Sequence, residues 1–406
     1  AYGLAVQPDG SLLVAGELSS PDNTSSNAFV TRFRVDGRVD TSFGNRGTIH
    51  PAYIFSQPTF RGARALAVQP DGKIVMAGYS DFGSGVPADF LVARWHSNGT
   101  HDFNFGLGGF RPVGFPGNGN DYGTALALAP DGKIVVAGNV WNGSRQVWGV
   151  ARLTSTGQPD PTFDSDGLFS FGLDLSNAVN AVAVQPDGKI LVAGHIGGDF
   201  AVARLAENGS LDPSFGQGGF AINDLGGTNV INALALAANG WIYVAGSRLQ
   251  NGNEDMALAQ FTPEGALASC PDPANCHNWP GGTFFMNWGI SDTAYALDLR
   301  SDNQLVAAGC AEQLFAAVQV RTDGPPTPLP FAADFVGHQD CARAVKFSGT
   351  NKIVLAGTQN LYPIARDWNI ALARFETTRN NTVPTPTLPP PPTSNVYPVY
   401  LPIIVR

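Results

Sequence analysis

One phrase occurs seven times along this chain of 406 residues, and no other feature restricts the fold as strongly. It reads ALAVQPDG at 65–72 and returns, with changes, at 3–10, 125–132, 181–188, 233–240, 296–303 and 344–351. An apolar run ending in glycine follows every copy, at Gly16, Gly78, Gly138, Gly194, Gly246, Gly309 and Gly357. The copies begin 48 to 63 residues apart, and a unit of this size repeated several times is typical of propellers and related repeat architectures.

The physical pattern of one unit predicts four strands. ALAVQ alternates and suits a pleated strand, PDG suits a tight turn, and KIVVAG is the returning strand. A variable polar loop then leads to a third strand, such as DFAVARL at 199–205, and the segment after SFGxGG supplies a fourth. Seven units of four short antiparallel strands predict an all-β chain, a seven-bladed β-propeller with almost no helix. The predicted domains are a propeller over 1–375, a Pro/Thr-rich linker over 376–395 and an apolar docking strand over 396–406.

At these phrases the chain resembles the delta-60 repeat family, which comprises bacterial β-propeller repeats of secreted and surface proteins. The resemblance covers about residues 1–375 and rests on seven coincident copies. It implies a propeller fold and an extracellular location, and it carries no catalytic residues to transfer.

An arginine of the third strand recurs together with an aspartate eight residues later. In the two units that have glutamine instead, Gln260 and Gln319, this aspartate is missing, and only Arg374 breaks the correlation. An arginine that disappears with its aspartate is typical of half of an ion pair, so we predict structural pairs within each blade rather than a ring of anion-binding arginines. The predicted pairs are Arg32–Asp40, Arg94–Asp102, Arg152–Asp160 and Arg204–Asp212.

The four cysteines favour two disulfides, because the resemblance points to an exported protein. The expected pairing joins Cys270 to Cys276 and Cys310 to Cys341. Zinc is the alternative, but the C-x5-C spacing of the first two cysteines is not that of a usual zinc knuckle.

Composition excludes several functional classes. The net charge is −9 and no basic run occurs, so a nucleic-acid partner is not expected. No apolar run reaches the roughly 18 to 20 residues that span a membrane, and we expect an exported protein whose signal peptide has been removed. The chain contains no catalytic or nucleotide-binding motif, so we expect no enzyme activity, cofactor or metal site. Asp164 and Asp166 resemble half of a calcium loop, but Thr162 occupies a ligand position, which favours a simple turn.

After Phe375 the composition changes to an extended linker rich in proline and threonine. The chain then ends in VYPVYLPIIVR, an apolar segment with strong β propensity, in which Pro398 and Pro402 restrict pairing to a sheet edge. The seventh unit lacks the phrase that precedes a fourth strand, so this segment either fills that vacancy or pairs with a neighbouring subunit. The residues predicted to dock are Val396, Tyr397, Val399, Tyr400, Leu401, Ile403, Ile404 and Val405.

Three functions are compatible with this sequence. The leading hypothesis is a structural or adhesive extracellular protein that assembles with copies of itself into filaments or tubes through its C-terminal strand. The alternative is a monomeric cell-surface propeller that binds a glycan or protein through loops 17–27, 79–89 and 358–369. The third is an enzyme that uses the central channel. In the variable loops, Phe82, Trp141, Tyr362 and Trp368 either form a sugar-binding platform or pack against neighbouring blades.

Overall fold

In the computed structural model the chain is a seven-bladed β-propeller, as the repeats predict. The structure describes residues 1–19, 26–51, 59–81, 85–173, 175–268, 279–288, 291–311, 314–322, 328–333, 340–360, 368–376 and 403–405. These residues form seven sheets of four strands, and in every sheet the strands follow one another in chain order. Over the same residues no α-helix occurs, a short 3-10 turn lies at Pro280–Gly282 in the fifth blade, and no helix is long and apolar enough to cross a membrane.

The first four blades contain all the sequence phrases. Blade 1 contains β1 (Gly3–Val6), β2 (Leu12–Ser19), β3 (Ser26–Phe33) and β4 (Thr48–Ile49). Blade 2 contains β5 (Thr59–Val68), β6 (Ile74–Asp81), β7 (Phe90–Trp95) and β8 (Phe110–Val113). Blade 3 contains β9 (Tyr122–Leu128), β10 (Ile134–Trp141), β11 (Gln146–Leu153) and β12 (Leu168–Phe171). Blade 4 contains β13 (Asn177–Val184), β14 (Ile190–Ile196), β15 (Asp199–Leu205) and β16 (Phe220–Asn223).

The last three blades depart from the repeat. Blade 5 contains β17 (Thr228–Leu236), β18 (Ile242–Gln250), β19 (Asn253–Phe261) and β20 (Thr283–Met286). Blade 6 contains β21 (Asp292–Leu299), β22 (Gln304–Ala311), β23 (Leu314–Arg321) and β24 (Leu329–Ala333). Blade 7 contains β25 (Cys341–Phe347), β26 (Lys352–Asn360), β27 (Trp368–Glu376) and β28 (Ile403–Val405).

The core lies between the blades. The second strand of a blade, such as Ile134–Gly138 of β10, is buried at every position because neighbouring sheets cover both of its faces. Apolar clusters fill each junction, and the one between blades 7 and 1 contains Leu4, Val14, Val354 and Ala356. Side-chain packing therefore closes the ring.

The C-terminal strand lies in the vacancy of the seventh blade. Ile403–Val405 pairs in parallel with Ala373–Phe375 of the same chain, whereas the outer strands of the other six blades are antiparallel. The intermolecular docking favoured from the sequence is thus not the pairing found for these three residues. Pairing within the chain satisfies the free edge of β27 without the entropy cost of associating two molecules. The other predicted docking residues, 396–401, lie outside the described residues.

Each predicted arginine forms an ion pair with its aspartate. The Nε atoms of Arg32, Arg94, Arg152 and Arg204 donate to the Oδ2 atoms of Asp40, Asp102, Asp160 and Asp212 at 2.8, 2.8, 2.7 and 2.8 Å. Each guanidinium also lies 4.6–4.8 Å from the ring centre of the phenylalanine in the SFG-type phrase of its own blade. The sequence did not indicate this second contact.

The same arginines also join one blade to the next. Their Nη1 atoms donate to backbone carbonyls of the following blade, those of Ser97, Ser155, Glu207 and Pro263, at 2.5–2.9 Å. Arg374, which has no aspartate eight residues later, donates in the same way to the carbonyl of Val35 at 2.9 Å and so links blade 7 to blade 1. We use the name arginine clasp for a third-strand arginine that pairs with the aspartate of its own blade and donates to a backbone carbonyl of the next blade.

The junction between blades 6 and 7 is held differently. Gln319 occupies the arginine position of blade 6, and its amide bonds to Gln304 of the same blade at 2.6 Å. A disulfide joins Cys310 of β22 to Cys341 of β25, with the two Cα atoms 4.7 Å apart. Cys270 and Cys276, the other predicted disulfide pair, lie outside the described residues. A covalent bond thus crosses one of the two junctions where the third-strand arginine is missing.

Removing the carboxylate of one clasp should destabilise the propeller strongly. Arg152 and Asp160 each expose 4% of their side chains, so Asp160→Asn leaves a buried guanidinium without its counter-charge. We expect a loss of about 3–5 kcal/mol in the free energy of unfolding, measured by urea denaturation. The control is Asp36→Asn, in a pair with 54–74% exposed side chains 4.0 Å apart, which should cost less than about 1 kcal/mol. A similarly small loss for Asp160→Asn would contradict a structural role for the pair.

The clasps should also make the fold sensitive to acid. Hydrogen bonds from Ser42 lower the pKa of Asp40 to about 2, and the neighbouring Arg32 charge acts in the same direction against the effect of burial. In Asp160, burial acts to raise the pKa, but hydrogen bonds from Thr162 and the charge of Arg152 outweigh it and lower the pKa. Since these pKa values are lower in the folded state, the stability they provide is present above pH 4 and is lost as pH falls towards 2. Urea denaturation between pH 5 and pH 2 should show this loss, and a flat profile would contradict it.

Loss of the disulfide should loosen one junction first. In the double variant Cys310→Ser/Cys341→Ser we expect about 2–4 kcal/mol lower stability. Hydrogen exchange followed by mass spectrometry should show faster exchange in β21–β27, while blades 3 and 4 serve as the internal control. Hydrogen exchange that is equally faster in all blades would mean that the disulfide does not act locally. Peptide mapping without reductant tests the pairing of Cys310 with Cys341.

Candidate ligand-binding channel

In six of the seven blades the innermost strand carries an irregularity around one repeat position. In β13 the register passes from Val179 to Ala181, so Asn180 has no partner on β14. β17, β21 and β25 skip Asn232, Tyr295 and Arg343 in the same way. Such a bulge turns the extra residue away from the ladder.

The glycine of the recurring AG dipeptide is what permits this bulge. A Cβ atom at Gly194 would lie 1.8 Å from the carbonyl oxygen of Ala178, and one at Gly309 would lie 1.7 Å from that of Thr293. Only glycine allows the two strands to approach this closely. The repeated AG therefore marks, in the sequence, the blade position whose partner strand bulges.

The residues at this position of the seven blades meet at the central channel. A cavity of about 550 Å³ lies there, within the range typical of small-molecule sites. Its lining contains one residue from this position of every blade, together with two further tyrosines, Tyr79 and Tyr122, and Gly123. The seven are Tyr2, Arg64, Thr124, Asn180, Asn232, Tyr295 and Arg343.

One arc of this ring consists of neutral polar side chains that bond to the next blade. The hydroxyl of Thr124 donates to the carbonyl of Val179 at 2.8 Å. The amide groups of Asn180 and Asn232 donate to the carbonyls of Ile231 and Ala294 at 2.8 and 2.9 Å. These bonds fix the side chains of blades 3, 4 and 5 in one orientation.

The other arc alternates tyrosine and arginine. The guanidinium of Arg343 in blade 7 lies 3.6 Å from the ring centre of Tyr295 in blade 6, and that of Arg64 in blade 2 lies 4.4 Å from the ring centre of Tyr2 in blade 1. Each arginine thus stacks on the tyrosine of the preceding blade, which holds a long side chain in place by a cation–π contact.

Aromatic groups extend the lining towards the loops between the second and third strands. Tyr79 and Tyr122 contact each other edge to face, with ring centres 5.1 Å apart. Burial raises the pKa of the Tyr79 hydroxyl, and the nearby carboxylate of Glu17 raises it further, so this phenol remains a proton donor at neutral pH.

The clasps and the channel residues lie at opposite ends of the blades. The bulges occur near the start of each innermost strand, whereas the PDG turns follow its end, beside the clasps. We call the surface with the channel residues the loop face, and the surface with the PDG turns and the clasps the turn face. The clasps and PDG turns lie at the turn face, whereas the side chains that line the channel lie at the loop face.

The predicted binding loops lie only in part within the described residues. In loop 79–89, Tyr79 lines the channel, whereas Phe82 lies outside the described residues. In the other two loops, residues 20–25 and 361–367, which include Tyr362, also lie outside the described residues. The backbone N–H of Trp141 donates to the carboxylate of Asp121 at 2.9 Å, beside the glycines of loop 117–119. The channel ring itself was missed from the sequence, although it occupies the position immediately before each copy of the recurring phrase.

Metal ligands are not assembled in the described part of the chain. No group of three or more His, Cys, Asp or Glu side chains able to hold a metal ion occurs among these residues. At the half calcium loop, the carboxylate of Asp166 accepts the backbone N–H of Leu168 at 2.9 Å, as in an ordinary turn.

Solved structures share the fold at low sequence identity. The polysaccharide lyase Uly1 aligns with a TM-score of 0.52 at 11% identity, covering 93% of this chain and 90% of that one. A protein from Lactobacillus plantarum aligns with a TM-score of 0.53 at 11% identity, covering 89% of this chain and 94% of that one. At this identity the likeness concerns the fold alone. No curated protein matches the chain.

One family model matches the repeats themselves. It describes a domain of unknown function, DUF5122, as a β-propeller, and it matches residues 7–43, 69–105, 129–163, 185–215 and 237–267. These segments run from the PDG-type turn to the end of the third phrase or the turn before it, in the first five units. The chain is therefore similar, over five of its seven blades, to a β-propeller repeat family without an assigned function.

Proposed function

We propose that this chain is a non-enzymatic extracellular binding protein whose ligand enters the central channel from the loop face. One observation carries the proposal: the repeat keeps its framework residues but changes its side chain at the channel position. Tyrosine, arginine, threonine and asparagine occur there in seven blades. Side chains that served only packing would be expected to repeat along with the framework.

The chemistry of the cavity suits recognition of a polar ligand. Aromatic rings, amides and guanidiniums converge on one concave space, and they belong to seven different blades. Groups held by hydrogen bonds or stacking need little reordering on binding, which lowers the entropy cost. A glycan or a polar peptide segment fits this lining better than an apolar molecule does.

The extracellular location rests on two features of the chain. The Cys310–Cys341 disulfide suits an oxidising compartment, where such bonds persist. The resemblance of the repeats to those of secreted and surface proteins points in the same direction.

Self-assembly through the C-terminal strand stays a prediction. Ile403–Val405 pairs with its own seventh blade, so the alternative function, a monomeric binding propeller, needs no further docking event. Light scattering after size exclusion, on the full chain and on a chain lacking 380–406, separates the two hypotheses. Polymers that disappear on truncation would favour assembly, whereas monomers in both samples favour the binding propeller.

Filling the channel should abolish binding. The variant Asn180→Tyr places in blade 4 the residue that blades 1 and 6 already carry at this position, so the repeat geometry accommodates it. On a glycan and peptide array, followed by titration calorimetry with the best binder, we expect at least about tenfold weaker binding.

The matched control is Glu207→Gln, an exposed side chain at the turn face of the same blade, which should bind as the unaltered chain does. Equal affinity of Asn180→Tyr and the unaltered chain would show that the ligand does not occupy the channel. A loss in both variants, with unchanged melting temperature, would also contradict the proposal.

A further inference from the structure

We infer that the channel ligand is an anionic carbohydrate, whose acidic group is bound by Arg64 and Arg343. This inference rests on the proposed channel function and names the class of ligand.

The two channel arginines differ from the ion-paired arginines of the propeller in their charge environment. Arg32, Arg94, Arg152 and Arg204 pair with aspartates in the clasps, and Arg248 and Arg300 pair with Asp255 and Asp302 at 2.9 and 2.7 Å. Within the described residues, neither Arg64 nor Arg343 has a carboxylate partner, and the cavity lining contains no Asp or Glu. In a chain of net charge −9, two channel cations without a carboxylate partner form a locally positive site that an anion would neutralise.

Stacking leaves the guanidiniums suitably placed for such an anion. Tyr2 and Tyr295 cover one face of Arg64 and Arg343, at 4.4 and 3.6 Å, and the N–H donors lie in the plane of the guanidinium, away from the ring. The planar fork of donors matches the paired oxygens of a carboxylate or a sulfate. Since the side chain is already held, little rotamer entropy is lost when the anion binds.

The opposite arc supplies acceptors for hydroxyl groups. The NH2 groups of Asn180 and Asn232 are directed at backbone carbonyls, so their amide oxygens are the atoms turned away from those bonds. The oxygen of Asn232 also accepts a long bond from the Asn180 amide at 3.4 Å and keeps a second lone pair. The Thr124 oxygen likewise donates its proton to a carbonyl and keeps lone pairs for an incoming donor. A ligand with acidic oxygens on one side and several hydroxyl donors on the other is an acidic sugar. The tyrosine rings provide the flat apolar surface that a sugar face contacts.

The test compares acidic glycans with their neutral forms. Titration calorimetry on the full chain uses an oligogalacturonide and a hyaluronan tetrasaccharide, each with its methyl ester, and a sulfated galactan oligosaccharide with its desulfated form. The carboxylate and sulfate arms identify which anion is recognised. We expect at least one acidic glycan to bind at least about tenfold more tightly than its neutral form, with affinity that falls as salt rises.

Single variants locate the interaction. Arg64→Gln and Arg343→Gln should each weaken binding of the acidic glycan by about 10- to 100-fold and leave the weaker binding of the neutral form unchanged. The control is Arg38→Gln, a turn-face arginine with 74% of its side chain exposed, which should change neither affinity.

The outcomes separate this inference from the function on which it rests. If acidic and neutral glycans bind equally, and Asn180→Tyr abolishes both while the arginine variants do not, the channel function holds and the acidic class is wrong. If Asn180→Tyr binds as tightly as the unaltered chain, the channel function itself is wrong. If no acidic glycan of the panel binds more tightly than its neutral form, the inference is overturned.

Discussion

The arginine clasp is the interaction on which the ring depends. One guanidinium bonds the aspartate of its own blade, stacks on a buried phenylalanine and donates to a backbone carbonyl of the next blade. Removing either charge should destabilise the fold strongly, because its buried partner is then left without a counter-charge. The clasp therefore connects the folding of one blade to its contact with the next, and its repetition sets the spacing of blades 1 to 5.

The remaining junctions show how the ring closes where the repeat fails. Blade 5 lacks the arginine, and the indole of Trp279 donates to the carbonyl of Arg321 in blade 6 at 3.4 Å. Blades 6 and 7 are joined by the disulfide, and Lys346 and the backbone N–H of Phe347 both bond Asp298. Arg374 completes the circle without an aspartate. Hydrogen bonds, an ion pair and a disulfide thus serve the same purpose at these junctions, which is to link neighbouring sheets.

The separation of the two faces explains how one repeat can support both stability and recognition. Clasps and PDG turns occupy the turn face, where they restrict the sequence. At the loop face, one residue at the same repeat position of each blade presents its side chain to the channel. Substitution there changes the lining of the cavity while the inter-blade core remains intact. The tyrosine and arginine arc is then a local property of blades 6, 7, 1 and 2.

The sequence by itself determined the number of blades, the order of strands and the absence of α-helix from the described residues, because alternating apolar residues, PDG turns and glycine stops act within about ten residues of each other. The eight-residue spacing of Arg152 and Asp160 likewise indicated their contact. Only the tertiary structure brought Arg64, Asn180 and Arg343 to one channel, since these residues are more than 100 positions apart and meet only when the ring closes. It also decided that the clasp reaches into the next blade and that Ile403–Val405 pairs with β27 of its own chain. Those contacts depend on how sheets are placed relative to one another, and a period of two residues along a strand carries no information about that placement.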